Sequence, residues 1–422
     1  MHCRSMTEPL TGIRVIDVTV AVQGPAAGLY LGDMGAEVIK IEPPIGDGSR
    51  YMRGRGNETP PGTVSPQFVA VNRGKRSVCI DLTTDVGKKA LLALLDTADV
   101  LITNYRDRAL EKLGFGYDDL KTRYPRLIYA SVNGFGPQGP DAEKAMLDGA
   151  AVARGGLASM TGTADNPPAA PGAIMGDTSG AMQLALGVMT ALFAREKTGT
   201  GQRVQTSGLG TQLWLQQWEI THTAMTGAKV PRDGSHHPLI KGPDGVSRTR
   251  CGGAILLALP MTQEAWDAVC VFGGAFELAS DPRFDSPGKR LGNGITGADS
   301  EEVRGKLRNA FASKSVDEWE DFLRTEPEVI WERVRDWHDV LDDEQNLANG
   351  YIETIEVPGF GTTRTVGNLV TLSSTPGSVK GGPPELGEGN DELLAAAGLT
   401  AEEIEAIHDH AESVRAALRT AS

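Results

Sequence analysis

"IRVIDVT" occupies residues 13–19, "GPAAGLYLGDMGA" residues 24–36 and "EVIKIE" residues 37–42. The outer two runs are short and rich in β-branched residues, so they read as strands. The middle run carries glycine at 24, 28, 32 and 35. Glycine at every fourth position clears one helix face of side chains and lets it approach a neighbour closely. Strand, helix and strand in this order predict a parallel pair joined by a right-handed crossover. The spacing is not GxGxxG, the turn that a dinucleotide pyrophosphate needs, so Glu42 at the end of the second strand does not by itself indicate NAD.

Working outward, the alternation continues. "SVCIDL" from Ser77, "DVLITN" from Asp99 and "RLIYASVN" from Arg126 read as strands, and "DVGKKALLALLDTA" from Asp85 as a helix. "GAMQLALGVMTALFAREK" has apolar residues at helical spacing. The fold class predicted is α/β: a large domain on a parallel sheet with a smaller α+β domain. Residues 1–220 are assigned to the large domain. Residues 221–345 form a linker, rich in Gly, Pro and His, and the small domain, where "AILLALP" is a strand and "TQEAWDAVCVFGG" and "SVDEWEDFLRTEP" are helical. Residues 346–422 turn extended and then end in an acidic helix, and are assigned as a C-terminal segment returning to the large domain. Between Gly46 and Gly74 lies an aperiodic loop holding Arg50, Arg53, Arg55 and Arg73, suited either to an acidic ligand or to solvent.

A net charge of −14 over 422 residues argues against nucleic acid as a main partner, because phosphate backbones need a basic face. Four scattered cysteines without a CxxC pair fit a reducing compartment and no structural zinc. No apolar run of membrane-spanning length occurs, and the N-terminus lacks an apolar leader core; a cytoplasmic enzyme without membrane contact is expected. P-loop, HExxH and GxSxG motifs are absent, and the histidines form no ligand set. Trp214 and Trp218, four apart, are expected to pack in a core.

Asp177 stands in "GAIMGDTSGAMQLALG", residues 172–187. An aspartate before a helical run is first of all an N-cap. That position also favours the ionised carboxylate, and the small residues around it admit a ligand. An exposed carboxylate beside backbone donors can attack an acyl group and keep it activated as an anhydride.

Taken with "GPAAGLYLGDMGAEVIKIEPP", "NRGKRSVCIDL", "LITNYRDRALEKLGFGYDDLKTRYPRLIYASVNGFGPQGP" and "REKTGTGQRV", this stretch makes the chain resemble the class III CoA-transferases, the family of formyl-CoA and carnitinyl-CoA transferases. The resemblance covers most of the chain. It implies a Rossmann-like large domain and a ring-like chain forming an interlinked homodimer. It also implies transfer of CoA between an acyl-CoA and a free carboxylic acid, with CoA as substrate and no metal or prosthetic group. The family's catalytic aspartate falls on Asp177. Its CoA contacts fall on Val22 and Gln23, on Ile80, Asp81, Leu82 and Thr83, on Asn104, Tyr105 and Arg106, on Lys112, and on Asn133, Gly134, Phe135 and Gly136. Pro43 stands where formyl-CoA transferase has a phosphate-facing arginine, a loss that Lys40 or Arg50 would offset. An α-methylacyl-CoA racemase shares this fold, but Leu147 occupies the place of the histidine its second proton transfer requires. A CoA-binding protein without turnover is the remaining alternative.

Overall fold

The computed structural model describes residues 8–55, 59–60, 62–260 and 262–421. Residues up to 155, 172–215 and 341 onward gather into one compact unit, and residues 156–171 and 216–340 into a second.

The first unit is built on six parallel strands: β1 (Arg14–Val18), β2 (Glu37–Glu42), β3 (Arg76–Cys79), β4 (Val100–Thr103), β5 (Ile128–Asn133) and β6 (Arg203–Ser207), in the order β3-β2-β1-β4-β5-β6. Helix α1 (Gln23–Asp33) makes the first crossover. Its glycines answer to close approach: a Cβ at Gly24 would lie 2.5 Å from Thr19 Cγ2, and one at Gly28 2.9 Å from Asp17 Oδ2. The loop of four arginines contains α2 (Pro66–Asn72), capped by Ser65 Oγ, which accepts from Phe68 N. Thr84 caps α3 (Asp85–Leu95) in the same way. Then come α4 (Asp107–Leu113), α5 (Asp148–Arg154), the long α6 (Met175–Thr198) and α7 (Gly208–Leu215).

The second unit pairs β7 (Gly245–Arg248), β8 (Ala254–Pro260) and β9 (Val329–Arg333) antiparallel. Helices α8 (Gln263–Phe272), α9 (Gly297–Ala312) and α10 (Val316–Leu323) pack with them around Trp266, Phe311 and Trp319. Both buried indoles find acceptors, Trp266 on Leu278 O at 3.1 Å and Trp319 on Phe311 O at 3.0 Å.

The chain re-enters the first unit with a hairpin, β10 (Ile352–Val357) and β11 (Gly361–Val366), and ends in α11 (Asn390–Ala396) and α12 (Ala401–Ala421). Neighbouring residues on a strand point to opposite faces. Ile16, Ile39 and Leu101 therefore pack with α3, α11 and α12, whereas Val15, Val38 and Val100 pack with α1 and α6. Burial on both faces explains why adjacent strand positions such as Val15 and Ile16, Val38 and Ile39, and Val100 to Ile102 are all apolar. Chain order reverses between β1 and β4, so the crevice beyond their carboxyl ends is where such sheets hold ligands.

Candidate functional site

Beyond those carboxyl ends lies a cleft of about 250 Å³. The turn after β1 (Val20–Gln23), the segment after β4 (Asn104, Arg106, Asp107), Asn133 at the end of β5 with Gly134 beyond it, residues 142–147, and Asp177 line it. Of the residues singled out in the sequence, Val22, Gln23, Asn104, Arg106, Asn133 and Gly134 share this cleft with Asp177. Ile80, Asp81, Leu82, Thr83 and Tyr105 line a second hollow of about 180 Å³ with Pro43 and residues of α4. Lys112 lies exposed on α4. Gly136 donates to Asn133 Oδ1 at 2.7 Å, closing the turn after β5. The Phe135 ring lies under Lys144 and Arg154, 5.4 and 5.2 Å from the cations.

A buried charge network positions the turn after β1. Asp17 and Lys75 pair at 2.7 Å and Lys40 and Asp47 at 3.0 Å, all four inaccessible to solvent or nearly so. Lys40 donates to Thr19 O at 3.0 Å, Lys75 to Pro25 O at 2.7 Å and Ala21 N to Asp47 Oδ1 at 3.3 Å. Asn104 clasps Val20, accepting from its amide at 2.9 Å and donating to its carbonyl at 2.7 Å. The network keeps Ala21 at φ +65°, a left-handed conformation that a residue with a Cβ adopts only when its surroundings enforce it. Burial pushes Lys75 down to about 8, against the pull of Asp17.

Two expectations are corrected here. Lys40 and Arg50 do not offset the loss at Pro43. Lys40 is buried on Asp47, and Arg50 is buried and bidentate on Glu42, with two contacts of 2.7 Å. Arg73 is likewise taken by Asp33. Nor is Asp177 the cap of its helix. It is the third residue of α6, and Ile174 precedes the helix without a side-chain cap. The first amides belong to Asp148 instead: its Oδ1 accepts from Gly176 N at 2.6 Å and Asp177 N at 3.1 Å. The electrostatic consequence is opposite to the one expected. Burial, with Asp148 adding to it, pushes the Asp177 carboxyl up to about 6.

The cleft also holds an idle donor. Gln23 is 5% exposed, and its Nε2 has no hydrogen-bond partner. The amide sits against α6 one turn beyond Asp177, so close that a Cβ at Gly180 would fall 2.1 Å from it. A buried, unspent N–H group beside a carboxylate can serve an oxyanion as it forms. Leu147, also in the cleft, brings no base.

Sequence reasoning passed over Asp148, because its contact with α6 spans 28 and 29 residues and leaves no local pattern. It also passed over Arg415 of α12, which donates from Nε to Pro44 O at 2.8 Å and from Nη2 to Cys79 Sγ at 3.4 Å, next to Pro43 and Ile80 of the second hollow. The tryptophans are not core: Trp214 is 60% and Trp218 54% exposed, and Trp218 stacks on His237 with centroids 4.7 Å apart.

Comparison with known proteins adds to this geometry. Residues 10–390 match the family model described as CoA-transferase family III. The chain is 31% identical over 410 residues to a (R)-2-hydroxy-4-methylpentanoate CoA-transferase from Clostridioides difficile, covering 95% of this chain and 98% of that one. It is 31% identical over 416 residues to a formyl-CoA:oxalate CoA-transferase from Streptomyces coelicolor, covering 94% and 97%. Among solved structures it is similar to a CAIB/BAIF family protein from Brucella suis, with a TM-score of 0.79, 28% identity and coverage of 93% of this chain and all of that one.

Proposed function

The chain belongs to CoA-transferase family III, and from that premise we propose that it moves CoA between an acyl-CoA and a free carboxylic acid by way of Asp177. The observation that carries the proposal is a part-buried carboxylate, pushed up to about 6, in one cleft with the turns after β1 and β4. At neutral pH such a group is mostly ionised yet more basic than an ordinary carboxylate, and so a better nucleophile.

An Asp177 oxygen attacks the thioester carbonyl; a C–O bond forms, the C–S bond breaks, and CoA leaves as thiolate. The product is an aspartyl anhydride. The thiolate attacks the aspartyl carbonyl and releases the first acid, leaving an aspartyl-CoA thioester. The acceptor carboxylate attacks that thioester, and the thiolate released then attacks the acceptor's carbonyl, freeing Asp177. In this reading Gln23 Nε2, without a partner in the cleft, donates to the tetrahedral oxyanion. In this scheme CoA enters on the donor and leaves on the acceptor, and no prosthetic group is called on. Acyl-CoA plus hydroxylamine tests it: a hydroxamate at residue 177, found by peptide mass spectrometry, is expected. CoA bound without any adduct would identify a binding protein, and exchange of the α-hydrogen with solvent without CoA transfer a racemase.

The second hollow suits the nucleotide end of CoA. Tyr105, Ile80 and Leu82 offer apolar surface for the base, and the phosphates need a cation. Arg415, a third exposed, sits beside that hollow. Arg415→Gln is expected to raise KM for the acyl-CoA by about tenfold with kcat and the acceptor KM unchanged. An unchanged acyl-CoA KM would remove Arg415 from the site.

A homodimer is part of the proposal. On α6, Met182, Leu186, Met189 and Phe193 recur at helical spacing and are 56, 60, 38 and 65% exposed. An apolar stripe of this kind on a long helix calls for a covering partner. Light scattering is expected to give twice the chain mass at micromolar concentration; a single-chain mass would refute the dimer.

A further inference from the structure

We propose that Asp148 is a positioning residue for Asp177: it takes up the free amides at the start of α6 and holds its own negative charge beside the nucleophile. The inference rests on the CoA-transfer reading of the cleft.

A helix N-terminus ordinarily lends its N–H groups to a nearby anion and makes that anion less basic. In this chain one Asp148 oxygen accepts from both Gly176 N and Asp177 N, at 2.6 and 3.1 Å. Those donors are therefore spent on a different carboxylate. The approach is close: a Cβ at residue 176 would lie 3.0 Å from Asp148 Oδ1 and 3.2 Å from Asp148 O, so a side chain there would press on the Asp148 contact. Asp177 is left near a helix N-terminus without its neutralising benefit and with a second carboxylate for a neighbour.

The arrangement favours acylation. When the Asp177 oxygen forms its bond to the acyl carbon, the thiolate departs with the electron pair of the C–S bond. Residue 177 is then a neutral anhydride. The repulsion from Asp148 falls on the free carboxylate and not on the acylated residue, so it assists the first step, in which Asp177 gains the acyl group, and weighs against the last, in which the carboxylate is freed. The cleft's other charged groups are Arg106, Asp107, Glu143 and Lys144. Asp107 pairs with Arg203 of β6, and Arg154 of α5 with Asp141. Helix α7 carries no charged residue, and the single one on α1, Asp33, pairs with Arg73. Asp148 is the charged group that acts on the Asp177 carboxyl.

Asp148→Asn isolates the charge, because the amide oxygen can still accept from both N–H groups. The midpoint of Asp177 is read directly by carboxyl-selective 13C NMR, with Asp177→Asn supplying the assignment. It is expected to fall by about one pH unit. The acid limb of kcat/KM should move down with it, and kcat at pH 8 should drop by about three- to tenfold. Asp148→Ala, which also frees the two amides for Asp177, should lower the midpoint further. An Asp177 midpoint unmoved in both variants would overturn the proposal. The NMR measurement needs no turnover, so a wild-type protein that fails to exchange CoA would refute the CoA-transfer reading while leaving the role of Asp148 to be decided on its own.

Discussion

Asp177→Asn is expected to lower CoA exchange by about 10⁴-fold or more while sparing CoA binding, since on the proposed route the variant loses the group that carries the acyl moiety. Steady-state exchange and equilibrium binding of CoA check the two halves separately. Exchange within about tenfold of wild type would eliminate the anhydride route. In the wild type, kcat/KM should fall as pH drops through about 6, because the protonated acid is no nucleophile. The same variant should be the more stable protein. Asp177 binds its proton more tightly when folded than the value near 4 expected for an unfolded chain. Stability therefore declines as pH rises from about 4 to about 6 and stays reduced above that range. Removing the charge recovers roughly 1 kcal/mol at pH 7.5 after allowance for solvent screening, or about 2 °C in Tm. At pH 4 the gain should vanish.

Lys75→Met is expected to cost about 3–5 kcal/mol, because it leaves Asp17 charged and buried without its partner. Lys75 also donates to Pro25 O and, at 2.9 Å, to Asn72 Oδ1, and a thioether satisfies neither. Urea unfolding measures the loss, read from the transition that shifts in the variant because the chain has two units. Lowering Asp17 as well, in Asp17→Asn/Lys75→Met, should restore more than half of it, since the uncompensated charge is gone. A loss below about 1 kcal/mol for the single variant would mean that the network does not constrain the turn after β1. Activity should fall with stability in Lys75→Met, because the same lysine and its neighbour Lys40 hold Thr19 and Pro25 on either side of the cleft-lining turn.

Much of the scaffold was legible because its signals are local. β-Branched runs and the Gly24 and Gly28 spacing each lie within a few residues of the structure they specify, whereas the helix Pro66–Asn72 inside the arginine loop gave no periodic signal. The parallel strands and their crossovers followed from that order; the return of the chain after residue 346 was implied only by the family resemblance. Asp177 was legible as a residue of interest, although not in its true helical position. Exposure was misread for Trp214 and Trp218, since periodicity says that residues share a face and not what covers that face.

The sequence by itself thus determined the α/β class, the strand–helix order and the family pattern that places Asp177. Tertiary structure alone decided the electrostatics of the site. Asp148 reaches α6 from 29 residues away, Lys75 reaches Asp17 across 58, and Arg415 reaches Pro44 across 371. A charge has no periodicity, and its field depends on distance and burial. Which cations are spent, which amides are taken and which carboxylate is left basic are therefore settled only when the chain has closed around them.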